Sequence, residues 1–205
     1  MRAVSVTDPA IDGRTARAQR TRRAIVDALL ALIEDGELAP TAPRIADRAG
    51  VSLRSIYQHF EDLEALFGAA SGLYTERVLA MATPIEPDGP VRDRLAAFTA
   101  QRARILEAMT PVRRAALLQE PFSAQLRESR RRMEALGRAE VARVFAPELD
   151  QVPPADRREV HAALEAASGW SAWEHLRTTG LSVDEVERVM HRMMCALLST
   201  TGGRA

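Results

Sequence analysis

Apolar positions recur along nearly the whole chain at spacings of three and four, the period of a helix that buries one face. From about Thr15 to Asp35 the rhythm is kept by Ala24, Ile25, Ala28, Leu29, Leu32 and Ile33, and Gly36 supplies the stop. Thr41 then caps a short helix, Ala42–Ala49, whose buried side is Ile45, Ala46 and Ala49. Gly50 breaks it, and Ser52 caps a second short helix from Leu53 to about His59. Two short helices around a tight glycine turn have the geometry of a helix-turn-helix, spanning residues 41–60. Asp62 caps a further helix, Leu63 to about Ala82, with Leu66, Phe67, Ala70, Leu73 and Val78 turned inward.

The stretch Thr83–Pro90 holds Pro84, Pro87, Gly89 and Pro90 and marks a domain boundary. Beyond it only helical signals occur. They predict Val91–Met109, a short segment Val112–Gln119, then Ser123–Phe145, Asp156–Arg177 and Ser182–Ser199, separated at Pro111, Pro121, Pro147 and Pro153–Pro154. The expected class is therefore all-α: a mobile tail over 1–14, an N-terminal three-helix domain over 15–82 with 63–82 as its linking helix, and a C-terminal helical domain over 91–200.

Composition changes the picture in one respect. The 205 residues carry 28 basic and 28 acidic side chains, a net charge of zero, so no global field draws a polyanion and any DNA binding must use locally placed groups. Every basic residue is an arginine, which we ascribe to codon usage in a GC-rich genome. Cys195 stands alone and cannot form an internal disulfide, and no apolar run suits a signal sequence or membrane span, so a reducing cytoplasm is the expected compartment.

A helix-turn-helix sets its second helix in the major groove while helix starts and turn residues hold phosphates. Thr41 and Ser52 stand at helix N-termini, where the dipole and free amides favour an anion, and Arg44 lies one turn further on. Leu53, Arg54, Ser55 and Gln58 fall toward the outer side of the second helix, whereas Val51 and Ile56 point inward. Arg54 suits guanine and Gln58 adenine; Tyr57 and His59 can reach phosphates, and Phe60 closes the small core.

The run Thr21-Arg22-Arg23-Ala24-Ile25, the Gly36 stop, the Ile45-Ala46 pair, Ala49-Gly50-Val51-Ser52, Ile56-Tyr57-Gln58-His59-Phe60 and Glu64-x-Leu66 together resemble the DNA-binding domain of the TetR family of transcriptional regulators. The resemblance covers about a quarter of the chain. It implies a homodimer that places two recognition helices in successive major grooves of a palindromic operator. It also implies a C-terminal domain that binds a small, largely apolar effector and dimerises through its last two long helices, with release of the DNA on ligand binding. By position, Thr41, Arg44, Ser52, Leu53, Arg54, Ser55, Tyr57, Gln58 and His59 form the DNA-facing set. One departure stands out: where the family commonly has a phosphate-binding lysine, this chain has Leu63 followed by Glu64.

For the effector the candidates are Phe98, Arg102, Ile105, Met109, Leu117, Phe122, Leu126, Met133 and Trp170, each of which taken singly fits a plain core role better than a ligand contact. For the dimer seam they are Leu164, Ala167, Trp173, Val186, Met190, Met193 and Leu197. Arg14, Arg17, Arg20, Arg22 and Arg23 suit either phosphate contacts or a solvated face. His191 and Cys195, four apart, fall short of a zinc spacing, and no cofactor signature, nucleophile elbow, phosphate-cradling loop or metalloprotease helix is present. The expected function is a DNA-binding regulator and not an enzyme; its rival is a TetR-like ligand-binding or interaction protein that does not bind DNA.

Overall fold

Helix starts are written plainly in this chain, and most fall where the apolar rhythm places them. The computed structural model describes residues 9–199, among which lie ten α-helices, one 3-10 turn and no strand. The helices are α1 (Pro9–Glu34), α2 (Ala42–Ala49), α3 (Leu53–His59), α4 (Leu63–Leu79), α5 (Val91–Gln119), α6 (Ala124–Val144), α7 (Ala146–Gln151), α8 (Arg157–Ala167), α9 (Trp170–Thr178) and α10 (Val183–Ser199). The all-helical class and the helix-turn-helix segments α2 and α3 are as expected.

The first helix begins earlier than its apolar face. Pro9 opens α1, so residues 9–14, expected in a mobile tail, are helical; residues 1–8 lie outside the described part. A proline is suited to a first helical position because its missing N–H would be unpaired there anyway. Ala24, expected inward, is exposed, and the buried face starts at Ile25.

Chain contacts divide the molecule into two units. The first runs up to Tyr74 and takes in Pro111–Leu126; the second is Thr75–Thr110 with the residues from Arg127 on. The boundary expected at Thr83–Pro90 thus lies inside the second unit. Its polar groups explain why: the Thr83 N–H donates to Gln101 Oε1 at 2.6 Å, and Arg143 Nη1 donates to the Ile85 carbonyl at 2.7 Å. Arg94, only 5% exposed, donates to the carbonyls of Gly89 and Val144 and to both carboxylate oxygens of Glu148. The proline-rich stretch is stapled down as part of a packed unit.

Core composition accounts for the reassignment of residues 111–126. Ala115 is buried and Val112 packs in the first core with Ile25, Leu29, Ile33, Ile45, Ile56, Leu66 and Phe67. Gln125 presses so closely on Gly68 that a Cβ there would stand 2.1 Å from Gln125 Oε1. The second core holds Phe98, Leu106, Phe145, Leu164, Trp173, Val186, Met190 and Met194, with the Phe98 and Phe145 rings edge to face at 5.2 Å.

Several expected breaks move. Pro111 is expected to end a helix, yet α5 runs through it. The proline deprives the Glu107 carbonyl of its helical donor, a cost of about 3 kcal/mol, but Ala103 and Leu106 are buried on one side of it and Ala115 on the other. Pro147, likewise expected as a breaker, sits in the first turn of α7, a helix the spacing does not announce. Conversely, the single helix expected over Asp156–Arg177 is two, α8 and α9. Ser168 turns its hydroxyl back to the Leu164 carbonyl at 2.8 Å, and Gly169, in extended conformation, starts α9. Helix α4 stops at Leu79 instead of Ala82, ahead of Pro84.

Two outcomes follow from these contacts. Replacing Arg94 by Ala leaves Glu148 and two carbonyls without a buried partner and should lower stability by about 3–5 kcal/mol; both tryptophans lie in the second unit, so urea unfolding followed by their fluorescence checks it. At the start of α10, Glu185 accepts from the backbone and hydroxyl of Ser182, each at 2.8 Å, which holds its carboxyl below the ordinary 4.5. That stabilisation is full above 4.5 and disappears as pH falls through the lower folded value, so Glu185→Gln should flatten this part of the acid limb of a pH–stability curve.

Candidate nucleic-acid interface

The turn between α2 and α3 needs a glycine. Gly50 has φ +65° and ψ 34°, the left-handed conformation in which a side chain is strained, and its N–H closes α2 onto the carbonyls of Ala46 and Asp47. Two residues later Ser52 caps α3, its Oγ accepting from the Ser55 N–H at 3.2 Å. Ile56, fully buried, is the side chain that sinks α3 into the first core, with Phe60 at 3% exposure just beyond its end.

Everything else on α3 faces outward to some degree. Leu53 is 43% and Tyr57 53% exposed; Arg54 and Gln58 are exposed, and Ser55 and His59 half-buried. Thr41, at the start of α2, is exposed and its side chain makes no cap hydrogen bond, so its hydroxyl is available to a ligand. Arg44 is exposed but pairs with Glu37 at 3.3 Å, a contact that solvent-exposed partners can trade cheaply. All nine expected residues lie on α2, α3 or their caps: Thr41, Leu53, Arg54, Tyr57 and Gln58 are exposed, Ser55 and His59 half-buried, Arg44 exposed but paired with Glu37, and Ser52 exposed with its hydroxyl engaged in capping.

One contributor is not recognisable from the pattern. Arg22 on α1 donates from Nη1 to the His59 carbonyl at 2.6 Å, and its guanidinium lies 4.1 Å from the centre of the Phe60 ring. It closes the C-terminal end of α3, where carbonyls lack helical donors. A cation 37 residues away in sequence gives no local signal of this role.

At the start of α4, Asp62 Oδ1 accepts from the Ala65 N–H at 2.7 Å, while Leu63 packs against the first core and Glu64 is exposed. Position 63 thus serves packing.

The comparisons with known proteins coincide with this surface. The family model of bacterial regulatory proteins of the tetR family matches residues 25–70. This segment is a tetR-family domain. No curated protein sequence matches the chain. Among solved structures, a transcriptional regulator from Rhodococcus sp. Rha1 is 21% identical, with a TM-score of 0.65 over 89% of this chain and 96% of that one. A TetR-family transcriptional-regulator candidate from Mesorhizobium loti MAFF303099 is 20% identical, with a TM-score of 0.60 over 90% of this chain and 98% of that one. The chain has the fold of tetR-family transcriptional regulators.

Outside the tetR-type domain the expected residues scatter. Leu117, Phe122 and Leu126, expected in an effector pocket, belong to the first unit. Phe122, 82% exposed, and Leu126 line an open groove of about 390 Å³ with Thr41, Tyr57, Leu63 and Phe67 beside the helix-turn-helix. Phe98 and Ile105 are buried in the second unit. Met109, Met133 and Trp170 are half-buried, and Trp170 Nε1 donates to Thr110 Oγ1 at 3.2 Å. Arg102 stacks 4.7 Å over Phe98 and pairs with Glu140 at 2.9 Å; burial holds its guanidinium below the usual value, the Glu140 charge opposing.

The residues expected at a dimer seam differ in burial. Leu164, Ala167, Trp173, Val186 and Met190 are buried within this chain, so they have almost no area left to cover. Met193, 39% exposed, and half-buried Leu197 remain outward, joined on α8 and α10 by exposed Ala162, Ala166 and Ala196, which the pattern does not single out. His191 Nδ1 lies 3.4 Å from Thr99 Oγ1 and Cys195 is exposed; among the described residues no three His, Cys, Asp or Glu side chains gather as a metal site. Among them, too, no helix is long and apolar enough to cross a membrane.

The Arg22 clamp makes a measurable difference to α3. Arg22→Gln should speed amide exchange at Phe60, whose N–H closes α3 onto Ile56, roughly fivefold, the equivalent of about 1 kcal/mol for a charge-assisted bond near solvent. Asp27→Asn, which weakens the exposed Arg23–Asp27 pair, should leave that rate unchanged in the same hydrogen-exchange measurement.

Proposed function

We propose that this chain is a transcriptional repressor that binds a palindromic operator as a homodimer and releases it when a small, largely apolar molecule binds its second unit. The observation that carries the reading is the outer face of α3: Leu53, Arg54, Tyr57 and Gln58 stand open to solvent on a helix anchored from behind by Ile56, inside a tetR-type domain. Arg54 offers a bidentate pair to guanine and Gln58 to adenine, while Thr41, Ser52, Tyr57 and His59 hold phosphates. Arg44 joins them by exchanging Glu37 for a phosphate.

A dimer follows from half-site geometry, because two recognition helices about 34–36 Å apart enter successive major grooves. The outward apolar side chains of α8 and α10, Ala162, Ala166, Met193, Ala196 and Leu197, support packing of these helices against a second copy. Ligand binding acts by population shift: it favours a spacing of the α3 pair that no longer matches the half-sites, and only to the extent that it prefers the released state. Met109, Met133 and Trp170 are half-buried side chains suited to an apolar effector. On this reading the protein works in the cytoplasm, needs no cofactor and catalyses no reaction.

A second reading keeps the scaffold without DNA binding. It is favoured by Leu63 and Glu64, which stand where the resemblance implies a phosphate-binding lysine, and by the zero net charge. One experiment separates the two: a gel shift of the full chain on the duplex upstream of its own gene. Retardation is expected, weakened about 5- to 150-fold by Arg54→Ala with relaxed base preference, the range of one bidentate base contact, and weakened also by Tyr57→Ala. No retardation at low salt would establish the second reading.

A further inference from the structure

Helix α1 is longer than its core requires. From Gly13 to Ala24 no residue is buried, and only Ala16 and Thr21 are even half-covered, whereas Ile25, Val26, Leu29, Leu30 and Ile33 pack tightly. A surface helix gains most of its stability from an apolar face, so three exposed turns call for another explanation. Their charge supplies one. Gly13–Ala24 contains five arginines and no acid, in a chain whose net charge is zero.

Two of the five are engaged, Arg22 with the His59 carbonyl and Arg23 with Asp27. Arg14, Arg17 and Arg20 are exposed and have no ion pair among the described residues, in contrast to Arg44, Arg48 and Arg113 of the same unit, which pair with Glu37, Asp35 and Glu120. They form an i, i+3, i+6 row that rises about 9 Å along the helix. Because the same helix holds the end of α3 through Arg22, the row and the recognition helix belong to one braced piece of the first unit.

We infer that the N-terminal turns of α1 are a second DNA-contacting element, a basic arm whose Arg14, Arg17 and Arg20 bind phosphates outside the stretch read by α3. This inference rests on the regulator reading. It supplies the affinity that Leu63 and Glu64 do not, since a neutral protein must concentrate its phosphate contacts locally. Being bound to backbone and not to bases, the arm strengthens operator and unrelated duplexes by the same factor.

The test is the salt dependence of duplex binding by the full chain, measured by fluorescence anisotropy on the upstream duplex and on a scrambled one. Every phosphate that the protein neutralises adds about 0.9 to the steepness of log K against log salt, so the triple variant Arg14→Gln, Arg17→Gln, Arg20→Gln should reduce the slope by roughly two to three units per protomer on both duplexes. The ratio of the two affinities should stay unchanged, and the corresponding triple lysine variant should restore the slope. Arg54→Ala should do the reverse, reducing the ratio far more than the slope. An unchanged slope in the glutamine variant, or a slope that lysines fail to restore, overturns the arm while leaving the regulator reading intact. Failure of the unmodified chain to bind either duplex overturns both, as does its binding anionic vesicles in preference to DNA.

Discussion

A helix of seven residues does not persist in water on its own, so the placement of α3 depends on what holds it from behind. Here that is one fully buried isoleucine, Ile56, between two fixed ends: the Gly50–Ser52 corner at its start and the Arg22–Phe60 stack at its finish. The corner works only because residue 50 can adopt a positive φ, and the stack only because α1 passes close enough for a guanidinium to reach the His59 carbonyl. With the back and both ends of the helix committed to structure, Leu53, Arg54, Tyr57 and Gln58 are left exposed on its outer face. That division of labour is what makes the surface available for recognition.

Charge is organised in the same local way. The molecule as a whole is neutral, and many of its arginines are engaged internally: Arg94 in a buried fork with Glu148, Arg102 over Phe98, Arg177 with Glu107, Arg138 with Glu165. A net charge of zero therefore hides local unevenness: five arginines and no acid lie between Gly13 and Ala24.

Much of the first unit was legible because its signals are local. Caps, the glycine turn and the i, i+4 rhythm of Ile25, Leu29 and Ile33 act over a few residues, and α2 and α3 fall at their expected limits. What escaped were features set by distant partners. Nothing near Pro111 says that buried residues on both sides will carry α5 through it, and nothing near Gly68 says that Gln125 will lie against it. The apolar stripe of α8 and α10 was visible, but periodicity cannot tell a face turned to the chain's own core from one turned to a second copy. Trp173 and Val186 are turned to the chain's own core, whereas Ala162 and Ala166 are exposed. Effector residues were the least legible, since an apolar side chain that lines a cavity and one that fills a core look alike in sequence.

The noncontiguous first unit has a consequence for anyone dissecting or rewiring such a protein. A cut in the proline-rich stretch after α4 looks like the natural place to excise a DNA-binding module, yet the excised piece would lack Pro111–Leu126. It would expose the core surface that Ala115 and Val112 fill and the backbone of Gly68 that Gln125 covers. Moving the α3 surface onto another protein therefore calls for grafting two segments at once, or for exchanging only the outward side chains of α3 and leaving the scaffold beneath them whole.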